Sequence, residues 1–368
     1  MSDRLNAFVA HDPAPHGGEG PLAGVTLGVK ANIAVRGLPW TAGMALHRGR
    51  IADRDAAVVA RLRAAGATVL GTLNMNEAAL GATTDNPWFG RTLNPHGEGR
   101  TPGGSSGGSG AAVAGGLCDL ALGTDTLGSV RIPAAYNGVY GLKPTNGALP
   151  DDGLEPMHRG FDAIGPLAGS LDLLERAWRV LNPSAATASG PARFLTLERL
   201  GGVECEPAVL DGYRRALARI GPAQEIALPP LGETRAAGFV EAARELSRHL
   251  GADRRSDLLS KDLLWLLDYA DAAEPNPALL AEVRDKLRAA IGTDGVLILP
   301  TAPQVAFAHG GRAPANQADF TAIANIAGLP ALSLPAGQDA EGMPVGVQLV
   351  GPPDGEALLF AVARRLDS

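Results

Sequence analysis

Two rhythms of apolar residues alternate along the chain. Short unbroken apolar runs bounded by glycine or proline, at 67–71, 119–124, 296–300, 331–335 and 345–350, read as buried strands, and 21–35 is a further apolar strand region. Between them the apolar positions recur every three or four residues, which predicts helices. One begins at Asp53, with an aspartate available as cap and Gly66 as the stop; another spans 108–116, built from alanine and glycine; a third follows Ser170 as its cap. Amphipathic segments near 207–220, 233–250, 256–268 and 277–291 are separated by breaks such as Pro229-Pro230 and Pro275–Pro277, and 357–366 closes the chain as a helix. From 182 to 295 the pattern is largely helical and reads as scaffold or pocket cover. Strands alternating with helices over most of the length predict one large α/β/α sandwich, a central mixed sheet covered by helices on both faces, with 1–368 as a single domain. No internal repeat is present.

Composition narrows the picture. The 368 residues are 45% apolar, 19% charged and 4% aromatic, with 48 glycines, so the core must be packed from small and aliphatic side chains. The 32 basic and 39 acidic residues give a net charge of −7, and no Lys/Arg cluster tracks a phosphate backbone, which argues against direct nucleic-acid binding. Cys118 and Cys205 lie far apart without a CxxC pattern, which argues against a zinc site or a disulfide framework and fits a reduced cytoplasm. The amino terminus lacks a signal-peptide pattern, and no uncharged apolar run reaches the roughly 18 residues of a membrane span.

The stretch 100–144 concentrates glycine, serine and threonine, yet passes directly into Ala111-Ala112-Val113-Ala114 and Leu120-Ala121-Leu122, which a solvated linker does not do. The strand at 119–124 runs into the turn 125–128, and a helix or turn begins at Ser129. Unsatisfied N–H donors of a helix start would then lie beside the Ser129 hydroxyl, the geometry of an oxyanion hole. Three chemistries compete for this stretch. A phosphate cradle would need GxxxxGK[ST] or GxGxxG, and neither occurs in a strand–loop–helix setting. A Ser-His-Asp hydrolase would need a GxSxG elbow, which Gly104-Ser105-Ser106-Gly107 does not supply, and the seven histidines stand in no relation to a serine. The third is a serine activated by a lysine that its surroundings keep partly neutral. Lys30, flanked by Val29 and Ile33, is the candidate; its plain alternative is an edge-strand lysine with its head in water.

At this point the motifs resemble a known family. Gly103–Gly108 (GGSSGG), Gly123–Ala134 (GTDTLGSVRIPA) and Gly141–Thr145 (GLKPT) resemble the amidase signature family, as do Gly28-Val-Lys30-Ala-Asn32, Asn74-Met-Asn-Glu77 (there a helix start), Asp162–Ala168 (there a turn), Asn325–Pro330 and Pro344–Gln348. The resemblance covers roughly 20–181 and 296–367. It implies Ser129 as nucleophile, Lys30 as base and Ser105 as a bridging serine on a cis peptide bond, with the backbone N–H groups of Thr126, Leu127, Gly128 and Ser129 as the oxyanion hole. Ser106 and Asp125 would orient the loop, and Arg131 would support it or reach a substrate carboxylate, the first being preferred. No metal or cofactor is implied. The expected partner is a small carboxylated or urea-like amide, and a homodimer is common among relatives. The segment 182–295, which shapes substrate choice in relatives, is short here.

Two departures stand out. Leu127 replaces the family's usual glycine in the oxyanion loop, which should narrow the acyl side of the pocket and tilts the expectation toward a compact substrate. Ala31 replaces the common aspartate after the lysine. Pro87-Trp88-Phe89 could wall a pocket or merely staple a loop. Two other functions stay open: a glutaminase or transamidation component of a tRNA-dependent amidotransferase-like complex, which Asn74–Glu77 also fits, and a catalytically silent binding member.

Overall fold

A computed structural model describes residues 3–185, 192–311 and 313–367. The strands are β1 (Phe8–His11), β2 (Thr26–Lys30), β3 (Thr68–Leu73), β4 (Asp85–Asn86), β5 (Gly90–Arg91), β6 (Leu120–Asp125) and β7 (Tyr140–Lys143). They continue with β8 (Ala163–Ala168), β9 (Arg193–Leu197), β10 (Gln224–Ile226), β11 (Gly295–Pro300), β12 (Ala331–Gln338) and β13 (Pro344–Val350). The helices are α1 (Ala57–Ala64), α2 (Gly107–Ala114), α3 (Arg131–Tyr136), α4 (Leu171–Leu181) and α5 (Pro207–Ile220), then α6 (Leu231–Leu250), α7 (Lys261–Ala272), α8 (Pro277–Ile291), α9 (Ala322–Ala327) and α10 (Glu356–Asp367).

Eleven strands form one mixed sheet in the order β1-β3-β2-β6-β8-β7-β12-β13-β11-β9-β10, while β4 and β5 pair as a small hairpin. Strand periodicity decides the layers, because successive side chains point to opposite faces. Val296 and Ile298 of β11 join the apolar cluster that holds α1, α4 and α10, whereas Leu297 and Leu299 join the cluster under α6, α7, α8 and α9. In β6 the same alternation sends Leu120 and Leu122 to the first face and Ala121 to the layer beneath α2. Both faces are therefore covered, as the α/β/α expectation has it. Ser170 caps α4 by accepting from the Leu173 N–H at 3.3 Å.

Several expectations need correction. Helix α1 starts at Ala57 without a side-chain cap. Asp55 instead accepts from the Arg36 N–H at 2.8 Å and pairs with Arg63, so that carboxylate holds loop and helix rather than a helix start. Residues 74–77 do not start an α-helix; one 3-10 turn, Glu77–Ala79, follows, with Ala78 at φ 50°. The expected turn from Asp162 onward is mostly strand β8, fully buried between β6 and β7. The segment 182–295 is largely helical, in α5 to α8, but it also supplies two strands that the pattern did not mark: β9 lies parallel to β11, β10 parallel to β9, and together they extend the sheet. Residues 186–191 of that segment lie outside the described residues. Lys30 is no edge-strand lysine, since β2 is sandwiched between β3 and β6 and the side chain is fully buried.

Candidate active site

Lys30 ends β2, and Thr124 lies near the end of the adjacent parallel strand β6, so the sheet brings both into one buried layer. The Lys30 Nζ donates to Ser105 Oγ at 2.8 Å and to Thr124 Oγ1 at 2.7 Å. Thr124 Oγ1 also accepts from Asn32 Nδ2 at 3.2 Å. Burial pushes Lys30 down from 10.5 to about 7, against the opposing pull of Asp162 and Asp125. A second lysine, Lys143, is also lowered to about 7, by burial and by the nearby Arg131 charge, but its Nζ donates to Pro144 O and Asn146 Oδ1 and to no serine among the described residues. Contact with a hydroxyl, more than the shift itself, distinguishes Lys30.

The Ser105 segment is held from three sides. The Gly104–Ser105 peptide is cis. The Asn76 N–H donates to Ser105 O at 3.1 Å, and Asn76 Oδ1 accepts from the N–H groups of Thr83 and Thr84. A Cβ on Gly104 would sit 2.2 Å from that same Asn76 Oδ1, so only glycine fits. Ser106 Oγ donates to Thr124 O at 3.1 Å, and the Ser106 N–H donates to Ser129 O at 3.2 Å. Ser106 thus ties the Ser105 turn both to β6 and to Ser129.

The loop from β6 to α3 carries Ser129, half-buried at the wall of a cavity of about 170 Å³. Asp125 organises this loop. Its carboxylate accepts from the N–H groups of Gly128 at 2.8 Å and Val130 at 3.1 Å, from Arg131 Nε at 3.0 Å and Nη2 at 2.9 Å, and from Asn325 Nδ2 at 3.0 Å. Burial alone would raise it, but the Arg131 guanidinium and these donors hold it well below the usual carboxylate range. Arg131 is fully buried, and its other N–H groups reach Thr321 O, Gln348 Oε1 and Asn325 Oδ1. All five guanidinium donors are committed, so Arg131 supports the loop and is not available to a substrate carboxylate.

Gly128 departs from the expected oxyanion set, because its N–H is taken by Asp125 Oδ1. Its φ of 134° and a hypothetical Cβ 2.2 Å from Thr321 Oγ1 leave no room for a side chain. The amides of Leu127 and Ser129 hydrogen-bond to none of the described residues. The Thr126 hydroxyl donates to Asp162 Oδ1 at 2.6 Å, which fixes the start of the loop. Leu127 lines the cavity and packs toward Gly238 of α6, where an added Cβ would lie 3.2 Å from Leu127 Cδ2. Ala31 is fully buried in an apolar cluster with Ala42, Met44 and Met75, a setting in which an unpaired aspartate would be costly. Trp88 does not line this cavity; its Nε1 donates to Glu77 Oε1 at 2.7 Å, so the Pro87–Phe89 loop is a staple.

Sequence reasoning missed Thr124, Thr321 and Arg235. The first two sit inside or beside quoted motifs but carry no spacing signal. Arg235 lies in the amphipathic stretch of α6 and reaches the cavity only through the fold. Among the described residues no three His, Cys, Asp or Glu side chains converge to hold a metal ion, and no helix is long and apolar enough to cross a membrane.

The Amidase family model matches residues 7–193 and 255–360. The chain belongs to the amidase family. The unmatched stretch 194–254 falls within the segment expected to vary. Over 179 residues the chain is 45% identical to the A-type component of the glutamyl-tRNA(Gln) amidotransferase of Methanospirillum hungatei JF-1, covering 49% of this chain and 42% of that one. Over 244 residues it is 40% identical to AtzE, a component of the 1-carboxybiuret hydrolase of Pseudomonas sp. strain ADP, covering 61% of this chain and 53% of the relative. These matches thus span about half the length of the curated relatives. A solved structure described as a vestigial protein complex revealing the origins of an s-triazine catabolic enzyme aligns with a TM-score of 0.89 at 31% identity, covering 99% of this chain and 91% of the other.

Proposed function

We propose that the chain hydrolyses a small, compact amide or urea-like amide to an acid and ammonia or an amine, with 1–368 working as one amidase-signature domain. The observation that carries this reading is the fully buried Lys30, lowered to about 7 and in contact with Ser105 Oγ at 2.8 Å. A lysine lowered this far is uncharged in part near neutral pH, so Nζ offers a lone pair. The Ser129 Oγ proton passes to Ser105 Oγ as the Ser105 proton passes to Nζ, and Ser129 Oγ bonds to the amide carbonyl carbon. The amides of Thr126, Leu127 and Ser129 stabilise the oxyanion, while Asp125 holds Gly128 and Arg131 and keeps the loop in shape. Collapse breaks the C–N bond, and the proton returns through Ser105 to the leaving nitrogen. Water then attacks the acyl-enzyme and gives a proton to the same relay; the acyl C–Oγ bond breaks, the relay returns that proton to Ser129 Oγ, and the acid leaves. A cavity of about 170 Å³, narrowed by Leu127, suits a substrate well below drug size.

The glutaminase or transamidation reading is second. The 45% identity to an amidotransferase component favours it, and it would require a partner chain. Assaying ammonia release from a panel of small amides, ureas and glutamine, with Ser129→Ala as control, separates the two. The hydrolase reading expects turnover of small amides by the isolated chain, lost in Ser129→Ala, and labelling of Ser129 by a fluorophosphonate. Turnover of glutamine alone, and only with an added partner, would favour the second reading; no turnover and no labelling would remove both.

A further inference from the structure

The cavity beside Ser129 is walled mainly by apolar groups, among them Leu80, Leu127, Ile132, Met157 and Phe239. Among the described lining residues, Arg235 carries the only charge. It stands on α6 and is tied to Asp319, whose Oδ1 accepts from Arg235 Nε at 2.7 Å. Asp319 is buried, and burial raises it against the opposing pull of Arg235; the Nε–Oδ1 hydrogen bond orients the guanidinium from one edge. The two Nη groups make no hydrogen bond to the described residues. One edge of the planar fork is therefore anchored, and the opposite edge, the one that grips a carboxylate bidentately, stays available. Arg131, the other arginine near Ser129, has no donor left.

We propose that Arg235 sets substrate choice by receiving a carboxylate at the end of the substrate away from the scissile carbonyl, so that the preferred substrates are small amides or ureides carrying a free carboxylate. This deepens the hydrolase reading of the same cavity and rests on it. A carboxylate entering this mainly apolar cavity meets Arg235 as the one charged residue among the described lining residues, and without it would be partly desolvated with no counter-charge. A neutral molecule of the same shape can accept a single hydrogen bond from the guanidinium but forms no ion pair and no two-oxygen grip. Discrimination then falls on binding rather than on the bond-breaking step, because Arg235 belongs to the α6 wall and hydrogen-bonds to Asp319, not to Lys30, Ser105 or Ser129.

The test compares isosteric pairs, succinamate with levulinamide and N-carboxyurea with acetylurea. Wild type should show the lower KM for the carboxylated member of each pair. In Arg235→Gln/Asp319→Asn, which leaves no buried carboxylate unpaired, KM for the carboxylated member should rise on the order of 100-fold with kcat little changed, and the neutral member should stay within about twofold. Arg235→Lys should recover part of the loss. Calorimetric binding of succinamate to Ser129→Ala, with and without the double substitution, reads the same contact without turnover and should lose the same factor. Equal treatment of both members by wild type, or a parallel loss on both in the double variant, overturns the role of Arg235 while leaving the hydrolase intact. If neither pair is turned over and Ser129 resists the fluorophosphonate, the hydrolase reading itself fails. In that case succinamate binding that the double substitution leaves unchanged removes Arg235 as well.

Discussion

Replacing Lys30 by methionine puts both stability and chemistry on one side chain. A fall from 10.5 to about 7 corresponds to roughly 5 kcal/mol between the charged and neutral forms, and about 4 kcal/mol of that still opposes folding at pH 7. Unfolding returns the lysine to water, where it keeps its proton up to about pH 10.5. Between these values the unfolded state binds more protons, so this contribution to stability rises with pH by about 1.4 kcal/mol per pH unit. It is at its worst below pH 7 and is fully relieved above 10.5. Methionine fills similar space with no charge, at the loss of the contacts to Ser105 and Thr124, worth about 1 kcal/mol each. Lys30→Met should therefore be about 2 kcal/mol more stable than wild type at pH 7. By pH 9.5 that advantage should reverse to a deficit of about 1 kcal/mol. Lys143 titrates in the same range but is present in both proteins, so it cancels in the difference. Denaturant unfolding at the two pH values measures the crossover. In parallel, wild-type kcat/KM should climb with pH through about 7, and the variant should lose activity by at least about 100-fold. A stability gap that does not move with pH, or a variant that keeps its turnover, would refute the assignment of Lys30 as a buried, partly neutral base.

Two further substitutions examine the oxyanion loop. Arg131→Leu strands the buried Asp125 carboxylate and should cost about 3–5 kcal/mol in denaturant unfolding; an unchanged midpoint would mean that the five-donor network adds little. Leu127→Gly opens the cavity toward α6 and should admit bulkier acyl groups at a cost of about 1–3 kcal/mol in stability; the same substrate range as wild type would place the size limit elsewhere in the wall.

Much of the fold was legible because burial on both faces of a sheet leaves unbroken apolar runs. The helices 207–220 and 277–291 match α5 and α8 to the residue, since each opens on proline and ends at glycine. The misses have equally local causes. Strand β9 is only five residues long, and β10 only three, mostly polar, and set between amphipathic helices, so periodicity was swamped by its neighbours. Strand β8 contains Gly165 and Pro166, which read as a turn, yet Gly165 packs against the Leu142 carbonyl, where a Cβ would lie 2.1 Å away. The edge-strand alternative for Lys30 stayed open from 21–35 alone, because nothing there reveals that two further strands flank it; the motifs around Ser105 and Ser129 made it the candidate base. Its surroundings come from Ser105 and Thr124, which are distant in sequence and meet it only when β2 pairs with β6.

The proposed chemistry and the proposed selectivity come from different parts of the chain. The lysine, both serines and the Asp125–Arg131 pair sit within 30–131, where glycines and hydroxyls leave a readable signature. The facing wall comes from α6 and the stretch around 313–319, which carry no signature because each residue there does ordinary local work: Arg235 in an amphipathic helix, Asp319 in a loop. Proximity in sequence made Arg131 the natural partner for a substrate carboxylate. Hydrogen-bond stoichiometry decides against it, because a guanidinium with five acceptors has nothing left to offer, whereas one held only through Nε does. If Arg235 governs KM and Lys30 governs kcat, Lys30→Met should leave succinamate affinity near wild type while the Arg235→Gln/Asp319→Asn variant keeps the pH profile. Joint loss of both properties in either variant would mean that wall and relay are not separable.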